Sequence, residues 1–174
     1  MTDDPLFSLR GRRLLVAGPG GLGAPLARLL AGRGAELALI DIDPARLEAC
    51  GIDAPRRVCD VADEAALEAA LDDFGGRFDG ALNATGLFPM GPADGIDAEA
   101  FRRCLDVNVT GALLLSRAVA RRTPEAGGAI LHLASVSSAV ANPAYAAYAA
   151  SKAALAQLVR VLAREWAGRG VRVN

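Results

Sequence analysis

The chain has 174 residues, 52% of them apolar and only 5% aromatic, which fits one domain with a sizeable core packed through small side chains rather than aromatic ones. A net charge of −1 excludes a nucleic-acid binder that relies on phosphate neutralisation. The arginine pairs at 12–13, 56–57, 102–103 and 121–122 are scattered, and read as solvated surface pairs rather than a basic patch.

The acidic start, MTDDPLFSLR, carries no apolar signal core, and no later run is long enough to span a bilayer, so a cytoplasmic location is expected. RLLVAG (13–18) reads as a first strand, followed by a glycine turn and a helix over 22–33. AELALID (35–41) is a second strand, and a short helix over 44–50 leads to a third, RRVCDV (56–61). DEAALEAALDDF (63–74) is helical, and FDGALNA (78–84) is a fourth strand. The loop GLFPMGPADG precedes a long helix over 97–122. GAILHLAS (128–135) is a fifth strand, an alanine-rich helix follows over 146–168, and VRVN (171–174) begins a sixth strand. Strands separated by helices call for right-handed crossovers and a parallel sheet: an α/β doubly wound, Rossmann-type fold in three layers. In such a sheet the ligand lies at the carboxyl ends of the strands, so chemistry is expected just after strands one, two, four and five.

Cys50, Cys59 and Cys104 are odd in number and lack metal-type spacing, so they read as reduced, buried thiols with no metal site. His132 is the only histidine and sits inside AILHLAS, which marks it as a packed strand residue rather than a base.

Gly18, Gly20 and Gly23 fit G-x-G-x-x-G between a strand and a helix. Such a turn lets a pyrophosphate approach the backbone and meet the N–H groups of the helix end, with Gly21 and Leu22 beside it. A purely structural glycine turn is the competing reading. Asp41 ends strand two, about twenty residues on, where a carboxylate accepts hydrogen bonds from an adenosine ribose and repels a 2′-phosphate. Ile42 is not basic, and neither is any residue of the turn, which favours NAD over NADP.

Tyr148 and Lys152 are four apart in a helix and share a face, whereas Tyr145 has Ala149 at that spacing. Lys152 is the only lysine in a chain that otherwise uses arginine. An ammonium ~4 Å from a phenol, at an effective dielectric of ~20, favours loss of the phenol proton by up to ~4 kcal/mol. A compact ammonium suits that task better than a broad guanidinium. Alone, the pair also fits an exposed helix surface.

With these residues in order, the chain resembles a classical short-chain dehydrogenase/reductase. Asp60-Val61 is similar to the Asp-Val pair that contacts adenine, and Asn83-Ala84-Thr85-Gly86 to the Asn-Asn-Ala-Gly segment after strand four. Asp106-Val107-Asn108-Val109-Thr110-Gly111 matches the Asn-Val-x-Gly element, and Ser135 precedes Tyr148 by the family's thirteen residues. The resemblance implies Tyr148 as general acid/base on the substrate oxygen and Ser135 as its hydrogen-bond partner. It implies that Lys152 activates Tyr148 and binds the nicotinamide ribose, and that Asn108 holds a relay water. The reaction implied is NAD-dependent hydride transfer between a secondary alcohol and a ketone. A non-catalytic dinucleotide-binding relative, or a Rossmann enzyme that retains its cofactor, is the alternative. The resemblance also implies a homo-oligomer, a dimer or tetramer, through the helices at 97–122 and 146–168. Membrane and nucleic-acid partners are not expected.

Three departures stand out. The glycine loop is one residue shorter than the family's and carries Ala17 and Pro19, and Ala84 takes the place of an asparagine. The chain stops at Asn174, so it is expected to be part of a longer reading frame, with an open sheet edge and a half-built substrate pocket. Substrate identity is not legible, although the loop residues Leu87, Phe88, Met90 and Val140 favour a substrate that is not highly charged.

Overall fold

The computed structural model describes residues 5–174; the acidic first four residues lie outside them. Six strands form one parallel sheet: β1 (Arg13–Ala17), β2 (Glu36–Asp41), β3 (Arg56–Val58), β4 (Gly80–Asn83), β5 (Gly128–His132) and β6 (Val171–Val173). Their spatial order is β3-β2-β1-β4-β5-β6, the doubly wound arrangement whose order reverses between β1 and β4. The helices are α1 (Gly23–Gly32), α2 (Pro44–Ala49), α3 (Glu64–Asp73), α4 (Ala98–Leu105), α5 (Gly111–Arg122) and α6 (Ala146–Trp166). No helix among the described residues is long and apolar enough to cross a membrane.

Alternation along the strands builds the layers. Leu15, Ala17, Ala38 and Ile40 pack with α3, α5 and α6, while Val16, Leu37 and Leu39 pack with Ala27 of α1 and Leu47 of α2. Helix starts follow the sequence: Asp43, Asp63 and Asp97 accept the backbone N–H of Ala45, Ala66 and Ala100, so each satisfies a donor left free at a helix end.

Three elements differ from the sequence reading, the fifth strand by ending at His132 rather than 135. The third strand ends at Val58 rather than 61, because Asp60 Oδ1 takes the N–H of Ala62 at 2.9 Å and turns the chain. The long helix is not uniform: a π-turn over Asp106–Thr110 separates α4 from α5, with Asn108 at its centre.

The arginine pairs are not simply solvated. Arg12, Arg57, Arg102 and Arg121 are the more exposed members, ion-paired with Asp79, Asp73, Glu99 and Glu68, while Arg13, Arg56, Arg103 and Arg122 turn further inward. Arg13 donates to the Phe74 carbonyl, Arg56 to those of Leu47 and Ile52, Arg103 to Asp60, and Arg122 to Glu68 and Asp72.

His132 is buried in β5 as the sequence suggests, and it joins three elements. Ser116 Oγ of α5 donates its proton to the Ala112 carbonyl at 2.7 Å, so it accepts from His132 Nε2–H at 2.8 Å. His132 Nδ1 is then the acceptor for Asn83 Nδ2–H of β4 at 3.1 Å, and Asn83 Oδ1 accepts from Thr85. Burial, and secondarily the charge of Lys152, lowers the His132 pKa to about 4. The three cysteines are buried and free.

Candidate active site

The glycine turn is set by close backbone approach. Gly18 has φ +79°, donates its N–H to Ile40 O at 2.9 Å, and lies so near the β4 exit that a Cβ there would meet Thr85 N at 2.7 Å. Gly23 opens α1, and a Cβ there would stand 2.0 Å from the Gly18 carbonyl oxygen. Gly23→Ala is therefore expected to cost about 1–3 kcal/mol of stability by overpacking, read as a lower urea midpoint. An unchanged midpoint would show that the turn relaxes freely.

Above this turn lies a cleft of about 440 Å³ at the carboxyl ends of β1, β2 and β4. Gly18, Gly20, Gly21, Leu22 and Asp41 line it together with Asp60, Val61, Ala84 and Gly86. Asn83 and Gly23 stand behind that lining, Asn83 in the histidine network and Gly23 in the helix–turn contact. Asp41 is buried, and its Oδ1 takes the N–H of Asp43 at 2.9 Å, which leaves Oδ2 for a ligand.

Two arginines in the lining were not singled out from the sequence. Arg46 of α2 lies across Gly20, its Cδ 3.1 Å from where a Cβ would be, and is ion-paired with Asp43 at 3.4 Å. Arg103 of α4 pairs with Asp60 at 2.6 Å. Both reach the cleft from helix surfaces that look like ordinary solvated faces in the sequence.

The four candidate catalytic residues lie at the next strand ends. Lys152 is buried, and its Nζ donates to the Leu133 carbonyl, just past β5, at 2.6 Å. Nζ stands 5.7 Å from the Tyr148 ring centroid and 3.7 Å from where a Cβ on Gly86 would be. Burial pulls the Lys152 pKa below the ordinary lysine value, partly opposed by Cys104. Ser135 caps the short 3₁₀ turn Val136–Ser138 by accepting the Ser137 N–H at 3.1 Å, which leaves its own O–H to donate.

Asn108 is buried in the π-turn and grips the loop after β4. Its Oδ1 accepts the Leu87 N–H at 2.8 Å, while Nδ2 donates to the Leu87 carbonyl at 2.9 Å and to Ser151 Oγ at 2.8 Å. Both amide protons are thus engaged, and Oδ1 keeps one further lone pair. Cys104 packs under this cluster, 3.5 Å from Asn108 Nδ2, with its pKa raised by burial against the lowering effects of Ser151 and Lys152.

Known proteins resemble this chain in sequence and fold. A family model described as Enoyl-(Acyl carrier protein) reductase matches residues 16–174. D-threitol dehydrogenase of Mycolicibacterium smegmatis is 38% identical over 180 residues, which cover 97% of this chain and 69% of that enzyme. A short-chain type dehydrogenase/reductase from Mycobacterium marinum superposes with a TM-score of 0.92 at 31% identity, over 100% of this chain and 76% of that one. A gluconate 5-dehydrogenase from Burkholderia cenocepacia, solved with NADP and tartrate, gives a TM-score of 0.86 at 33% identity, over 97% of this chain and 71% of that one. With the same doubly wound sheet, a match along most of its length and this similarity to known dehydrogenases, the chain belongs to the short-chain dehydrogenase/reductase family of oxidoreductases.

Proposed function

We propose that the protein interconverts a secondary alcohol and a ketone, with NAD in the cleft and Tyr148 as general acid/base. One observation carries this reading: a single buried amine, Lys152 Nζ, is approached from the cleft at Gly86 and also stands beside the Tyr148 ring. That position supports a dinucleotide site and a proton donor that share one charge. The bound nicotinamide supplies the hydride acceptor for oxidation or the donor for reduction. Ser135 donates its free proton to the substrate oxygen and holds it in place. Tyr148 takes the alcohol proton, or returns it to the ketone oxygen. Lys152 has one proton on Leu133 and directs the others to the ribose and to the phenol oxygen, whose developing negative charge it stabilises. The names of the similar D-threitol and gluconate dehydrogenases support oxidation at a hydroxyl-bearing carbon.

For the cofactor, the free Oδ2 of Asp41 supports NAD, because a carboxylate there accepts from ribose hydroxyls and repels a 2′-phosphate. Arg46 on the same rim supports the alternative, as does the NADP in the similar Burkholderia structure. Purified protein is expected to bind NAD⁺ more tightly than NADP⁺ in calorimetry and to form NADH from a secondary alcohol. Asp41→Asn keeps the acceptor for Asp43 but removes the charge, and is expected to narrow that preference by about tenfold or more. Tighter binding of NADP⁺ by the wild type, or an unaltered ratio in the variant, would count against NAD. Intact dinucleotide binding with no turnover across a broad alcohol and ketone panel would point instead to the non-catalytic reading.

A further inference from the structure

Three aromatic rings gather at the proposed proton donor. Phe88, in the loop after β4, stands 4.3 Å from the Tyr148 ring, tilted by 56°, and meets Tyr145 edge-on at 4.8 Å. Tyr145 is in turn edge-on to Tyr148 at 6.3 Å. Yet Phe88 remains 47% exposed, so part of its ring is open to solvent beside the Tyr148 ring. The arrangement is braced. Gly91 N–H donates to the Ala144 carbonyl at 3.0 Å, tying the Phe88 loop to the segment before α6. Ala144 holds φ +68°, rare for a residue with a Cβ, and so fixes the angle at which Tyr145 enters the helix.

The chemistry of these two loops is one-sided. Neither 86–93 nor 134–147 contains an Asp, Glu, Lys, Arg or His; Asp94 follows the first, and the polar side chains of the second are Ser135, Ser137, Ser138, Asn142 and Tyr145. Met90 and Val140 add exposed apolar surface to the same pair of loops. A polyol or a sugar acid brings several hydroxyls, or a carboxylate, each of which needs a partner when desolvated. Around Tyr148 these loops offer an aromatic face and no charged side chain, with Ser135 assigned to the reacting oxygen. Such a face suits a carbon ring, through offset or edge-on stacking and loss of apolar surface to water.

Accordingly, we infer that Phe88, held by Tyr145 against Tyr148, determines substrate specificity and selects secondary alcohols and ketones with a cyclic or aryl skeleton over polyols and aldonates. This rests on the oxidoreductase reading above for the position of the substrate oxygen at Tyr148.

The test uses the NAD⁺-loaded protein with 1-phenylethanol, cyclohexanol, D-threitol and gluconate, followed both by NADH formation and by ligand-observed NMR binding. The cyclic alcohols are expected to be favoured by roughly a hundredfold, a preference of the size a polar mismatch imposes. Phe88→Ala is expected to weaken the cyclic ligands by about tenfold with little effect on the polyols, and Phe88→Leu to restore part of the loss. NADH affinity, read by fluorescence, stays at the wild-type value in both variants and shows that each is folded. Equal or better handling of threitol or gluconate, binding of none of the four probes, or an unchanged preference in a folded Phe88→Ala would overturn the inference. Preferential binding of cyclic ligands without turnover, lost in Phe88→Ala, would uphold the ring selectivity of Phe88 alone and would sink the oxidoreductase reading.

Discussion

Tyr148→Phe is expected to lower kcat by about 10²- to 10⁴-fold, the usual contribution of a positioned acid or base, with NADH affinity unchanged. The substitution is selective. Phenylalanine keeps the ring that packs against Phe88 at 4.3 Å and lies 5.7 Å from Lys152 Nζ, and removes only the hydroxyl. The stability of the site is therefore preserved, and a loss reports on proton transfer rather than on folding. Stopped-flow measurement of the chemical step should show the deficit in kcat, with KM moving far less, since the interaction removed is made mainly in the transition state. A variant that kept wild-type kcat would end the assignment of Tyr148, whatever the fate of the cofactor reading.

The second large effect lies in folding rather than turnover. The His132 imidazole is neutral in the fold, its pKa lowered from 6.5 to about 4 by burial and by the nearby Lys152 charge. In the unfolded chain it protonates first as pH falls. Its contribution is thus complete above pH 6.5 and is lost progressively towards pH 4, amounting to about 3 kcal/mol. Urea unfolding at a series of pH values should show this slope in the wild type. In His132→Asn it should be absent over that window, leaving only the slope due to carboxylates. Parallel stability profiles for the two proteins would mean that the imidazole is charged, or wet, in the native state. Protonation would also break a chain of bonds, because Nδ1 could no longer accept from Asn83.

Much of this architecture is legible in the chain because local chemistry and fold agree. The aspartates that cap α2, α3 and α4 stand at the helix starts, and the strand-like runs at 13–18, 35–41 and 78–84 are apolar because both faces of the central sheet are covered. The misreadings have physical causes. The run at 56–61 looks like a longer strand, but Asp60 prefers to bond the backbone two residues on. The π-turn leaves no mark on apolar periodicity, since the residues on either side of it stay in phase with the core. Arg46 and Arg103 are hidden for a different reason: a sequence gives the helix surface a residue lies on, but not which strand end that surface overhangs. For the same reason Asn108 could be singled out, while its grip on Leu87 could not. That grip depends on a loop twenty-one residues away meeting an extra residue in a helix.

This last contact bears on how the substrate side can move. One carboxamide fastens the backbone N–H and C=O of Leu87 and reaches on to Ser151, whose hydroxyl in turn donates to the Tyr148 carbonyl at 2.7 Å. The entrance loop, the middle of one long helix and the start of another are thereby riveted at a single point. Any displacement of the Phe88 loop would therefore hinge beyond Leu87, while the backbone that Asn108 holds keeps its place.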